Sequence, residues 1–212
     1  MAEQYVQFGC GTTAPNSWRN LDAGPAFWMQ KHLPFMTPIL RKRGFPLYPA
    51  NIEYCDVSKG FPIESGTVKA VYCSHVLEHM TLEDFRATLH NTYRILEPGG
   101  TFRFVLPDLA YLVSQYANSE DPEAASTFMR ESYLGMDSTG GPLSGFSRAI
   151  FGRSAHLWMW DEKGMSRELS AAGFVNIRRA QYGDNPDPKF RDVESDDRWK
   201  NCLGIECERP SS

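Results

Sequence analysis

The sequence predicts an α/β fold: a doubly wound, mostly parallel, Rossmann-like sheet of seven strands with helices on both faces. Three observations predict it. Short apolar runs rich in β-branched and aromatic residues recur along the chain. The first five each end in Gly, Asp, Ser or Pro, as strands do. Amphipathic stretches of helical period separate the later runs, as a parallel sheet covered on both faces requires.

Residues 5–8 form the first strand, broken off at Gly9-Cys10-Gly11. The second, 18–21, ends at Asp22, and the third, 52–55, ends at Asp56. The fourth, 68–73, delivers Ser74-His75, and the fifth, 101–106, delivers Pro107-Asp108. Two last strands, 175–182 and 202–208, close the chain. Between the fourth and fifth, Thr81 opens a helix whose apolar face is Leu82, Phe85, Leu89, Tyr93 and Leu96, and Pro98-Gly99-Gly100 stops it. A second helix runs over 108–116 with Leu109, Leu112, Val113 and Tyr116 on one face. Asp161 caps a third, with Met165, Leu169 and Ala172 inward and Gly173 at its left-handed end.

At 212 residues the chain is one domain, 1–212, with one core. Segments at about 23–50 and 118–160 break the alternation. The first is aromatic, with Phe27, Trp28, Phe35 and Met36, and the second is Gly/Ser-rich. Their length suits a lid or substrate wall, although packing or a dimer face would use the same aromatics. A net charge of −4 offers no basic field for a phosphate backbone, so nucleic acid is not the expected partner. No apolar stretch reaches membrane-span length, and the N-terminus lacks the pattern of a signal peptide. Five cysteines without CxxC spacing predict a reduced, cytoplasmic protein with no metal site, and a monomer or a homodimer is the separate expectation for its assembly.

In open α/β sheets, ligands bind beyond the carboxyl ends of the strands. Gly9 and Gly11 let a ligand approach the backbone closely. Asp22 and Asp56, ending successive strands, suit a ribose diol and an exocyclic amine, although either acid also suits a turn or helix cap. Gly9, Gly11 and Ala14 satisfy the dinucleotide pattern GxGxxA. Its spacing fails, because Asp22 follows Gly11 too closely for an intervening helix whose N-terminus would face a pyrophosphate. A ligand without phosphate fits better.

The ordered blocks Gln7-Phe8-Gly9-Cys10-Gly11, Trp18-Arg19-Asn20-Leu21-Asp22, Cys55-Asp56-Val57, Ser74-His75-Val76-Leu77-Glu78-His79, Glu97-Pro98-Gly99-Gly100 and Ala171-Ala172-Gly173-Phe174 are spread over most of the chain. This set resembles the class I S-adenosylmethionine-dependent methyltransferases, type-11-like branch. The resemblance implies S-adenosyl-L-methionine as cofactor. Phe8, Gly9, Cys10 and Gly11 would line its methionine and ribose part, and Asp22 would hold the ribose hydroxyls. Asp56 and Val57 would meet the adenine, and Ser74 and His75 would stand beside the sulfonium. A strand-end cleft roofed by the two atypical segments leads to the expectation of an enzyme that methylates oxygen or nitrogen of a small-molecule or sugar-derived acceptor. His75, or His156 reaching back from 155–160, would be the base; His75 is equally read as a buried histidine bonded to backbone, and His156 more often as a satisfied wall histidine. Glu78, His79 and Asp108 read as local pairing or capping residues. A non-catalytic cofactor-binding or assembly module, and transfer of another group from the sulfonium, are the rival readings.

Overall fold

The computed structural model of the chain describes residues 5–42, 44, 46–135 and 155–211. One seven-stranded sheet has the order β3-β2-β1-β4-β5-β7-β6. Its strands are β1 (Tyr5–Phe8), β2 (Arg19–Asp22), β3 (Ile52–Tyr54), β4 (Val68–Ser74), β5 (Leu96–Pro107), β6 (Val175–Ala180) and β7 (Cys202–Glu208). The first five run parallel, and β7 runs antiparallel to both β5 and β6. The predicted fold class is the observed one. Strand order reverses between β1 and β4, so the crevice for a ligand opens at their carboxyl ends.

A parallel sheet must be covered on both faces, and this chain solves the two faces differently. On one, Val6, Phe8, Leu21, Val71 and Phe104 pack with Phe85, Leu89 and Ile95 of α3 (Leu82–Ile95) and with Met165 and Leu169 of α6 (Glu162–Ala171). On the other, the β1–β2 link is too short for a helix. The 183–201 connection takes that place through a 3-10 turn (Pro188–Asp192) and α7 (Asp196–Trp199). Phe190, Val193 and Trp199 there cover Tyr5, Trp18, Tyr72 and Val105, and Trp18 Nε1 donates to the Lys189 carbonyl at 3.0 Å.

Arg103 pins that connection. It is fully buried within β5, donates to Glu194, Asp184, Glu206 and the Gln181 carbonyl, and lays its guanidinium 4.5 Å from the Trp199 ring centroid. Every charge partner of this cation comes from chain that follows β6.

Several boundaries move from their predicted places. Thr81 caps α3 by accepting from the Asp84 N–H, as predicted, but the helix ends at Ile95 and Leu96 already belongs to β5. Pro98-Gly99-Gly100 therefore lies inside a long strand. Gly100 is needed there because a Cβ would sit 2.9 Å from the Glu97 carbonyl oxygen. Thr88 and Thr92, not Tyr93, complete the buried face of α3. On α4 (Leu109–Ala117) only Leu112 is buried; Val113 and Tyr116 are exposed, and the Tyr116 ring meets Phe128 of α5 (Ala124–Glu131). Strand β6 stops at Ala180, two residues before the expected end.

In the 23–50 segment, α1 (Pro25–His32) and α2 (Thr37–Lys42) flank a 3-10 turn (Pro34–Met36). Of the 118–160 segment, α5 and residues 155–160 are described, and 136–154 lie outside the described residues. Among the described residues no helix is long and apolar enough to cross a membrane.

Candidate active site

Gly9 and Gly11 both adopt left-handed backbone, φ +61° and +56°. A Cβ on Gly9 would lie 2.2 Å from Val76 Cγ2, so this glycine is required by its own protein. Gly11 has no atom within 4 Å of the equivalent position, leaving open space beside the backbone. Asp22 closes the turn. Its Oδ2 accepts from the Gly11 N–H at 2.9 Å and its Oδ1 from the Gly24 N–H at 2.6 Å. The carboxylate is 7% exposed, and each oxygen keeps a second lone pair for a ligand. Burial and the Asp22 charge push the Cys10 thiol up to about 12, so it is no nucleophile at neutral pH. Burial, with the Asp22 and Cys10 charges, also raises the Tyr48 hydroxyl. Phe8 differs from its expected role: its side chain is 1% exposed, in the core between Phe61 and Phe102.

At the end of β3, Asp56 accepts from the Ser58 hydroxyl at 2.8 Å and pairs with Lys59 at 2.7 Å. The Lys59 ammonium is the main cause of its lowered pKa. The turn-cap role is thus present, and Val57 beside it is buried.

At the end of β4, α7 reaches across from the far side. Arg198 donates from Nε to Ser74 Oγ at 2.9 Å and from Nη2 to the Ser74 carbonyl at 3.0 Å. His75 takes a left-handed φ of +54°, donates its N–H to the Val105 carbonyl, and sets Nε2 2.9 Å from the Arg198 carbonyl. Burial alone would lower its pKa. The Cys202 thiol, the Glu78 carboxylate and the Arg198 carbonyl outweigh burial and raise it to about 10.

Beyond β4, β5 and β7 opens a cleft of about 620 Å³ whose wall includes His75, Glu78, His79, Asp108, Tyr111, Tyr133, His156 and Arg198. His75 and His156 are the two predicted site residues that line it; Asp22, Asp56 and the glycine turn stand outside it. His156 is brought in by backbone bonds. Its N–H donates to the Tyr133 carbonyl, and the Leu157 and Trp158 N–H groups donate to the Glu78 carbonyl. Burial lowers the His156 pKa, so the ring is neutral, and its Nδ1 has no hydrogen-bond partner. Glu78 is completely buried, and neither of its carboxylate oxygens has a hydrogen-bond partner. Donor atoms of Glu78, His79 and His156 all lie within 4.8 Å of one another. Asp108 accepts from the Ala110 and Tyr111 N–H groups and pairs with Arg179 at 2.6 Å, the capping role expected of it.

Sequence reasoning missed Tyr133, Arg198 and Cys202 as wall residues. For Arg198 the available signal was the length of the 181–201 connection, which exceeds what joining β6 to β7 requires.

The methyltransferase domain family model matches residues 6–104, which span β1 to β5 and hold the glycine turn, Asp22, Asp56, Ser74, His75, Glu78 and His79. Among solved structures, an S-adenosylmethionine-dependent methyltransferase from Thermotoga maritima is similar with a TM-score of 0.51 at 14% identity, over 97% of this chain and 82% of that one. A Bordetella parapertussis protein gives 0.50 at 15% identity, over 98% and 62%. At these identities the likeness is one of fold. No curated protein sequence matches the chain.

Proposed function

We propose, on the match of residues 6–104 to the methyltransferase domain model, that the chain moves a methyl group from S-adenosylmethionine to an oxygen or nitrogen of a small-molecule or sugar-derived acceptor. The cleft beyond β4 and β5 carries this reading. Its volume of about 620 Å³ suits a small molecule, and its wall is rich in imidazole, carboxylate and phenol groups that orient one.

The glycine turn fits the cofactor. Open space at Gly11 admits a ligand against the backbone, and the spare lone pairs of Asp22 suit a pair of hydroxyls. When bound, the cofactor supplies a methyl group made electrophilic by the sulfonium. The protein's task is alignment, and placement alone lowers such a barrier by about 7–11 kcal/mol. Arg198 fixes Ser74 and His75 at the end of β4, between turn and cleft. His75 and His156 are the predicted residues that face an acceptor.

A crystal soaked with S-adenosylhomocysteine tests the reading. The expected result is ribose density at Asp22 and sulfur directed at the cleft. Sulfur directed away from it would overturn the assignment of the acceptor pocket. With an active acceptor in hand, His156→Ala, which removes the neutral imidazole, should lower kcat by about 10²-fold or more, while His75→Ala, which removes a ring held protonated at neutral pH, should lower it less. Unchanged rates in both would leave placement as the whole mechanism.

A further inference from the structure

From the arrangement of Glu78, His79 and His156 we infer a binding site for a divalent transition-metal cation, opening into the cleft. The inference deepens the proposed methyl transfer by giving the acceptor an inorganic anchor, and it rests on that reading for this role.

Two imidazoles and one carboxylate are a donor set suited to Zn²⁺, Mn²⁺, Fe²⁺ or Co²⁺. Their donor atoms already lie within 4.8 Å of one another. Bonds of about 2.0–2.2 Å to one cation need donors about 3–4 Å apart, a contraction within reach of side-chain torsions. The three come from two parts of the chain locked together by backbone. Leu77–His79 forms a 3-10 turn, and the Glu78 carbonyl receives the N–H groups of the two residues that follow His156.

The second observation is the state of the donors themselves. Glu78 is completely buried, yet neither carboxylate oxygen accepts a hydrogen bond. The nearest positive group is His75, whose Nδ1 lies 3.4 Å from Oε1 without hydrogen-bond geometry. His75 supplies a counter-charge, but a buried carboxylate whose lone pairs take no hydrogen bond still costs several kcal/mol unless a ligand fills them. His156 Nδ1 is likewise buried and unpartnered, with the Ser132 carbonyl in bonding reach of the ring. On His79, Nδ1 is 3.5 Å from the Ala155 carbonyl while Nε2 faces Glu78 at 3.9 Å. For His156, the Ser132 carbonyl holds the proton on one ring nitrogen and leaves the unpartnered Nδ1 to ligate.

Three protein donors leave positions open on the cleft side, where His75 and Tyr111 stand. An acceptor bearing a hydroxyl, or two adjacent oxygens, would occupy them. The acceptor class is thereby narrowed to oxygen nucleophiles able to chelate.

Full-length protein freed of metal by chelation and dialysis is titrated with Co²⁺, followed by visible absorption and by calorimetry. The expected result is one equivalent bound with a d–d spectrum. His79→Ala and His156→Ala should each weaken binding by at least about tenfold, and His90→Ala, on the exposed side of α3, should not. Circular dichroism melting confirms that each variant is folded, and the part-exposed His79 gives the variant least disruptive to packing. No stoichiometric uptake, or uptake unchanged in both variants, overturns the site. S-adenosylhomocysteine titrated into the same metal-free protein separates the two proposals. Heat with it but no Co²⁺ uptake sinks the cation site alone. Co²⁺ uptake without that heat supports the site and removes the methyl-transfer reading.

Discussion

Gly9 and Gly11 share a left-handed backbone but answer to different neighbours. Gly9→Ala drives a methyl group into Val76 and adds positive-φ strain, so unfolding in urea should show a loss of roughly 2–4 kcal/mol. Gly11→Ala meets only the strain, about 1 kcal/mol, and its methyl enters open space. It should lower affinity for S-adenosylhomocysteine in calorimetry far more than it lowers stability. Equal effects on stability would contradict this division. Asp22 links the two roles, since its carboxylate is already committed to the Gly11 and Gly24 N–H groups. The strand-end position of this acid was legible in the sequence. Its grip on the turn was not, because that bond spans eleven positions and depends on how β1 and β2 pair.

Helices α3 and α6 are clamped by Arg86, which donates from Nε and Nη2 to the two oxygens of Glu168 at 2.8 and 3.0 Å, while Arg167 adds a third contact. The Arg86 pairing, aided by Arg167, holds the Glu168 pKa down to about 2 from an ordinary 4.5. The folded-state pKa is depressed, so this contribution to stability is full above about pH 4.5 and is lost as pH falls towards 2. Melting temperatures across that window should fall less steeply for Glu168→Gln than for the parent, and parallel curves would show that the clamp is inert. Helix periodicity placed α3 and α6 correctly in the sequence. It misjudged α4, where Val113 is exposed and the Tyr116 ring meets α5 rather than the sheet. A pattern of period 3.6 marks an apolar stripe without saying what covers it. Pro98-Gly99-Gly100 misled for a related reason: those residues also suit the irregular start of a long strand, where the β4–β5 register shifts.

The molecule as a whole is a familiar sheet with one face rebuilt. A link without room for a helix joins β1 to β2, and the 183–201 connection fills that place, fastened by Arg103. Arg103→Met strands Glu194, whose pKa burial already raises, and should cost about 3–5 kcal/mol in urea unfolding. It should also release Arg198 from Ser74, so cofactor affinity should fall with stability. The sequence showed the sheet clearly because strand runs and their terminal residues are local signals. The cleft was half legible: His75 stands at a strand end, but His156 joins it across 81 positions, and Arg198 across more than 120. No local pattern carries such distances. The most direct measurement is calorimetric titration of the intact chain with S-adenosylhomocysteine. Saturable one-site binding, weakened at least about tenfold by Asp22→Ala in a protein that remains folded, is the predicted result. Absence of heat in the parent protein, or an Asp22→Ala isotherm identical to it, would contradict an adenosine ligand at the glycine turn.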